Sequence, residues 1–176
     1  MSPTVYLDTS IILYLTDPPS PNPITRACQQ LTQLWWYTHC VPNMTYVSDQ
    51  VTEDLKEGDP LRLTLRLKTI EPLICLHHTS QMKRLAELFI LGGGLKAVAR
   101  KSSRHIAYAA LNRNDILLTW NCRDIARATK LPLLRLLADA KGAHLPELVT
   151  PFELMENSYE DLWQRDSRRS GIPGAR

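Results

Sequence analysis

The stretch Val5-Tyr6-Leu7-Asp8-Thr9-Ser10-Ile11-Ile12 decides how this chain is read. Its first three residues are apolar and β-prone, and the run then meets a carboxylate. Thr9 and Ser10 supply N-cap residue types for a following helix. In an open α/β sheet, ligands bind in the crevice outside the carboxyl ends of the strands. An acid at a strand tip is therefore a candidate ligand for a hard cation such as Mg2+ or Mn2+. The competing interpretation is that Asp8 only charges or caps the first helical turn.

Outward from that stretch, apolar runs alternate with helical patterns. Helix is predicted over 11–16, followed by the breaker Asp17-Pro18-Pro19-Ser20-Pro21-Asn22-Pro23. A second helix is predicted over 24–38, with Ala27, Leu31, Leu34 and Trp35 sharing one face. Trp35, Trp36 and Tyr37 read as core in preference to a base-stacking platform. A strand at 44–47 leads through Ser48, as N-cap, into a helix that carries Glu53 and Asp54. Gly58-Asp59-Pro60 ends that helix, and 61–70 resumes it. Further strands are predicted at 72–76 and 116–120, with an edge strand at 148–151. Helices are predicted at 80–90, 100–112, 122–130, 131–140 and 152–157. Gly92-Gly93-Gly94 lacks the spacing of a phosphate-binding P-loop and reads as a connection.

This alternation predicts an α/β domain with a buried parallel sheet of four to five strands and helices on both faces. The domain is placed at 1–157, with a polar, flexible tail over 158–176 in which Arg165, Arg168 and Arg169 either touch phosphates or merely solubilise.

Composition narrows the function classes. The chain has 176 residues, 44% hydrophobic and 22% charged, with a net charge of +3. That balance permits a polyanionic partner without demonstrating one. Cys28, Cys40, Cys75 and Cys122 form no CxxC pair, and no secretory signal is evident, so reduced thiols in a cytoplasmic protein are expected. Cys75 and Cys122 are expected to be buried as small hydrophobes. No apolar stretch is long enough to span a membrane. His77 and His78 lie near Cys75, but no second ligand pair stands at a zinc-site spacing, so zinc is not expected.

Beyond the strand ends, Asp8, Glu53, Asp54, Asn121 and Asp124 are predicted to face one crevice. Such a group can bind one or two divalent cations, which orient water, lower its pKa and neutralise charge on a phosphodiester.

The segments VYLDTSIILYL (5–15), VSDQVTEDL (47–55), HIAYAALNRNDILLTWNCRDIARA (105–128) and VTPFELME (149–156) resemble the PIN-domain family, and within it the VapC-like toxins. The resemblance implies a three-layer sandwich around a central parallel sheet. It also implies an Mg2+- or Mn2+-dependent endoribonuclease, an antitoxin protein as partner, and a homodimer. Family members usually carry four acids. The first matches Asp8, and the second matches Asp54, where Glu is more common and Glu53 is a potential substitute. The third position holds Ser102 and the fourth Asn121, with Asp124 placed to act through a water. Two neutral residues therefore stand where acids usually do, and the expected site is depleted. The resemblance supports two outcomes: a working nuclease, or a degenerate domain that binds RNA or protein. Thr9, Ser10, Arg100 and Arg104 are the candidate RNA contacts. Arg100, Lys101 and Arg104 equally read as the solvated face of their helix, and His105 as a structural histidine.

Overall fold

The computed structural model describes residues 3–125 and 128–156. The predicted tail at 158–176, with its arginine cluster, lies outside the described residues. The elements are β1 (Val5–Leu7), α1 (Thr9–Thr16), α2 (Pro23–His39), β2 (Thr45–Ser48), α3 (Asp49–Lys56), α4 (Pro60–Ile70), β3 (Ile74–Leu76), α5 (Ser80–Leu91), α6 (Arg100–Leu111), β4 (Ile116–Leu118), α7 (Leu131–Asp139) and β5 (Glu147–Val149). Residues 151–156 are also helical.

The sheet has five strands in the order β3-β2-β1-β4-β5, and every pairing is parallel. The chain first steps outward from β1 to β2 and β3, then crosses back to β4 on the other side of β1 and on to β5. Parallel crossovers are right-handed, so reversing the direction of travel must move the helices to the opposite face. The two halves of the core follow this rule. Tyr6, Leu117 and Leu148 pack with Met82, Leu85 and Phe89 of α5, Ile106 of α6 and Leu134 of α7. On the other face Val5, Leu7, Val47, Ile116 and Leu118 pack with Ile11 of α1, Trp35 of α2, Val51 and Leu55 of α3 and Ile70 of α4. With both faces covered, β1 and β4 are apolar at each position and wholly buried, as parallel strands must be. The fold is the three-layer α/β sandwich that the alternation of elements predicts.

Several local expectations are corrected. Asp8 itself is the N-cap of α1, accepting from the Ser10 N–H at 2.9 Å, so Thr9 and Ser10 lie inside the first turn. On α2 the buried residues are Gln29, Thr32 and Trp35, whereas Ala27 and Leu34 are exposed. That face is chosen by hydrogen bonding as well as apolarity. Thr32 Oγ1 accepts from Trp120 Nε1 at 2.7 Å, and Gln29 holds the proline loop through the Ser20 N–H and the Pro18 carbonyl. Trp35 is core as expected, at 2% exposure, but Tyr37 points to solvent. Cys75 and Cys122 are both exposed, not buried. The helix predicted at 122–130 is instead a turn at 122–125 and a 3-10 helix at Ala128–Lys130. Asn121 explains the turn: its Oδ1 captures the Asp124 N–H at 3.1 Å, a local bond that competes with helix.

Candidate functional site

Strand order reverses at β1 and β4, and a doubly wound sheet opens its ligand crevice at such a switch point. Asp8 leaves the end of β1, and Thr119, Trp120 and Asn121 leave the end of β4. The Asp8 carboxylate is 4% exposed. Its Oδ1 accepts from both the N–H and the hydroxyl of Ser10, and its Oδ2 accepts from Thr119 Oγ1 at 2.7 Å. Burial pushes its pKa up, and His105, Ser10 and Thr119 partly offset that rise. Ser10 Oγ also accepts from the Trp120 N–H at 2.8 Å, which ties the exit of β4 to the start of α1.

Asn121 and Ser102 are brought together, with Asn121 Nδ2 donating to Ser102 Oγ at 3.2 Å. The Asn121 N–H donates to Thr119 Oγ1 at 2.8 Å, so one chain of bonds runs from Ser102 to Asp8.

Asp54 reaches the same region from α3. Its Oδ2 accepts from Thr9 Oγ1 at 3.0 Å and pairs with His105 Nε2 at 3.1 Å. Its Oδ1 accepts from Gln50 Nε2 at 2.8 Å and from Lys101 Nζ at 3.1 Å. Burial alone would raise this carboxyl, but His105, Gln50 and Lys101 outweigh it and hold the pKa well below the usual carboxylate range. His105 Nδ1 lies 2.9 Å from Tyr6 Oη, which lies 2.7 Å from Ser48 Oγ. A buried column Ser48–Tyr6–His105–Asp54 thus crosses the base of the site. Ser48 precedes α3 as expected, but its hydroxyl serves this column and not the helix cap.

The remaining predicted residues divide. Glu53 is exposed on α3 and is no substitute for Asp54. Asp124 joins the site through its backbone N–H on Asn121. The Thr9 and Ser10 hydroxyls donate to the two acids and so position their carboxylates. Arg100 and Arg104 line a groove between α5 and α6 together with Lys83 and Ser103, beside the crevice and not inside it. Arg104 Nη1 nevertheless donates to Gln50 Oε1 at 2.9 Å, so Gln50 links that groove to Asp54.

Gln50, Thr119 and Tyr6 are participants that sequence reasoning missed, and Lys101 is one it read only as positive charge near Ser102. The direction of the Lys101 side chain was not part of that signal. Its stem reaches across from α6 so that the half-exposed ammonium also pairs with Glu57.

The donor set at the crevice is all oxygen: the Asp8 and Asp54 carboxylates, the Asn121 carbonyl and the Ser102 hydroxyl. Hard divalent cations such as Mg2+ and Mn2+ favour such donors, and Mg2+ is commonly held by only one or two carboxylates. The donors are thus of the type such an ion takes, and Lys101 already pairs with one of the two carboxylates. Among the described residues, no helix is long and apolar enough to cross a membrane. No protein-family model matches the chain, and no curated protein matches it in sequence.

Proposed function

We propose that the chain is a metal-dependent endoribonuclease of the PIN, VapC-like type with a depleted acidic site. The observation that carries this reading is the placement of Asp8 and Asp54 at the β1/β4 switch point, each held by one of the adjacent hydroxyls Ser10 and Thr9. Asp8 and Asp54 would hold Mg2+ or Mn2+, with Asn121 and Ser102 as neutral oxygen partners. Such an ion supplies an activated water and neutralises charge on the phosphodiester.

The chain's own groups do the rest. Thr119 and Ser10 fix the Asp8 carboxylate, and His105 fixes that of Asp54. Lys101, once released from Asp54, offers an ammonium to a phosphate oxygen. Arg100, Arg104 and Lys83, against the single acid Glu87, line a net-basic groove beside the crevice for the RNA backbone. Ile24, Leu34 and Tyr37 expose an apolar face of α2 to an antitoxin protein or to a second copy in a homodimer. The four unpaired cysteines suit a reducing, cytoplasmic setting.

One observation favours a second reading. Lys101 already supplies Asp54 with a cation, as a degenerate domain that binds RNA or protein without cutting would. Incubation of a mixed tRNA and structured-RNA panel with Mn2+ separates the two. Cleavage that disappears with chelator and with Asp54→Asn supports the nuclease. RNA that is retained in a shift assay but left intact supports the binding module.

A further inference from the structure

The parallel register of β2 and β3 pairs Val47 with Cys75 and Ser48 with Leu76. Continued by one residue, it sets Asp49, the first residue of α3, beside His77. Residues two apart on a strand share a face, so Cys75 and His77 point the same way while Leu76 packs into the opposite layer. The three polar side chains meet at the exposed edge of the sheet. His77 Nδ1 lies 3.2 Å from Asp49 Oδ1, and Cys75 Sγ lies 3.9 Å from the same oxygen. One ligand atom from each residue falls within 4.8 Å of the others.

We propose that Asp49, Cys75 and His77 form a second metal site, for a borderline-soft divalent ion of the zinc type. In a tetrahedral zinc site, ligand bond lengths place sulfur, nitrogen and oxygen donors roughly 3.4–3.6 Å apart. The observed separations of 3.2 and 3.9 Å lie on either side of that range, and the third pair of donors lies within 4.8 Å. Asp49 is also pre-oriented, because its second oxygen accepts from the His78 N–H at 2.8 Å. Thiolate and imidazole donors select zinc over Mg2+, which prefers oxygen alone. With three protein ligands, the fourth position is open to water.

A nucleophilic role for Cys75 fits less well. Partial desolvation and the adjacent Asp49 raise its pKa, the direction that disfavours a nucleophilic thiolate. A bound cation relieves that repulsion: a metal–sulfur bond replaces the S–H bond and the proton leaves to solvent. The site is distinct from the acidic crevice. Asp49 and Asp54 are five residues apart on α3, which is about 7.5 Å along the axis and roughly 140° around it. A bound ion would join the edge strand β3 to the start of α3.

Co2+ titration of the reduced full-length chain tests the proposal, because a thiolate–cobalt charge-transfer band reports the sulfur ligand directly. The expected result is a band that saturates at one thiolate-bound Co2+ per chain, displaced by Zn2+ but not by excess Mg2+. Cys75→Ser abolishes the band, and His77→Ala and Asp49→Asn weaken binding at least tenfold. Cys122→Ser leaves it unchanged. His77 is 80% exposed in its side chain, so His77→Ala keeps the fold, which thermal melting verifies. No band, an affinity unchanged in both His77→Ala and Asp49→Asn, or a band lost in Cys122→Ser overturns the site.

Discussion

The Lys101 ammonium lies 3.1 Å from Asp54 Oδ1 and also pairs with Glu57. Asp54 is one of the two carboxylates at the switch-point crevice, so this lysine and any divalent cation compete for one oxygen. The lysine side chain is 53% exposed, and an ion pair of that kind is weak. A divalent cation held as proposed would have only that pair to displace.

Lys101→Ala should tighten Mn2+ binding about two- to fivefold, the equilibrium equivalent of the roughly 0.5–1 kcal/mol such a pair is worth. Thermal stability should scarcely change. Mn2+ titration followed by electron paramagnetic resonance checks this, and an unchanged affinity would place the metal away from Asp54.

Ser102→Asp restores a carboxylate beside Asn121 and should also strengthen Mn2+ binding. Its site is buried, so the apo protein should melt at lower temperature while Mn2+ recovers part of the loss. The gain should be larger when combined with Lys101→Ala, because both changes act on one charge cluster. Calorimetry showing no gain in the double variant would count against Ser102 as a neighbour of the ion.

Tyr6→Phe leaves His105 Nδ1 and Ser48 Oγ without their buried partner. Removing one member of a buried hydrogen-bonded pair costs about 1–3 kcal/mol. Urea unfolding should show that loss, with a smaller one for Tyr108→Phe, whose hydroxyl meets the exposed His78. Equal losses would deny the column its structural role.

The two acids pull stability in opposite directions with pH. Asp54 is lowered in the folded chain, so its contribution is present above the unfolded value of about 3.9 and fades as pH falls through the folded value. Asp8 is raised, so between its folded value and about 3.9 the native state binds a proton that the unfolded chain does not. Stability from Asp8 thus increases as pH falls through that window. Urea midpoints from neutral pH down to about 4 should rise for wild type relative to Asp8→Asn. Parallel curves would contradict the burial penalty assigned to Asp8.

Some of this was legible from residue order alone. Asp8 at a strand end and the strand–helix alternation follow from local pattern and parallel topology, whereas Ser102 near Asn121 was expected only from the family resemblance. The Lys101–Asp54 pair follows from neither, because a long side chain has many directions and its partner lies on another helix. The Asp49–His77 contact depends on the β2/β3 register, which sequence spacing does not encode. Cys75 and Cys122 show the limit of residue-type averages: cysteine is usually buried, but these two sit on an edge strand and in a turn. The buried face of α2 was misjudged because Thr32 and Gln29 earn burial through hydrogen bonds, which a hydropathy pattern does not register.

The most direct test compares the rate of Mn2+-dependent RNA cleavage by wild type and Asp8→Asn. Asparagine keeps an acceptor for the α1 cap, so the variant should fold, as circular dichroism can verify. The account predicts metal-dependent cleavage by wild type that falls at least a hundredfold in Asp8→Asn, on the order of the loss of one essential electrostatic group. Cleavage retained in the folded variant, or none by wild type under any divalent ion, would contradict it.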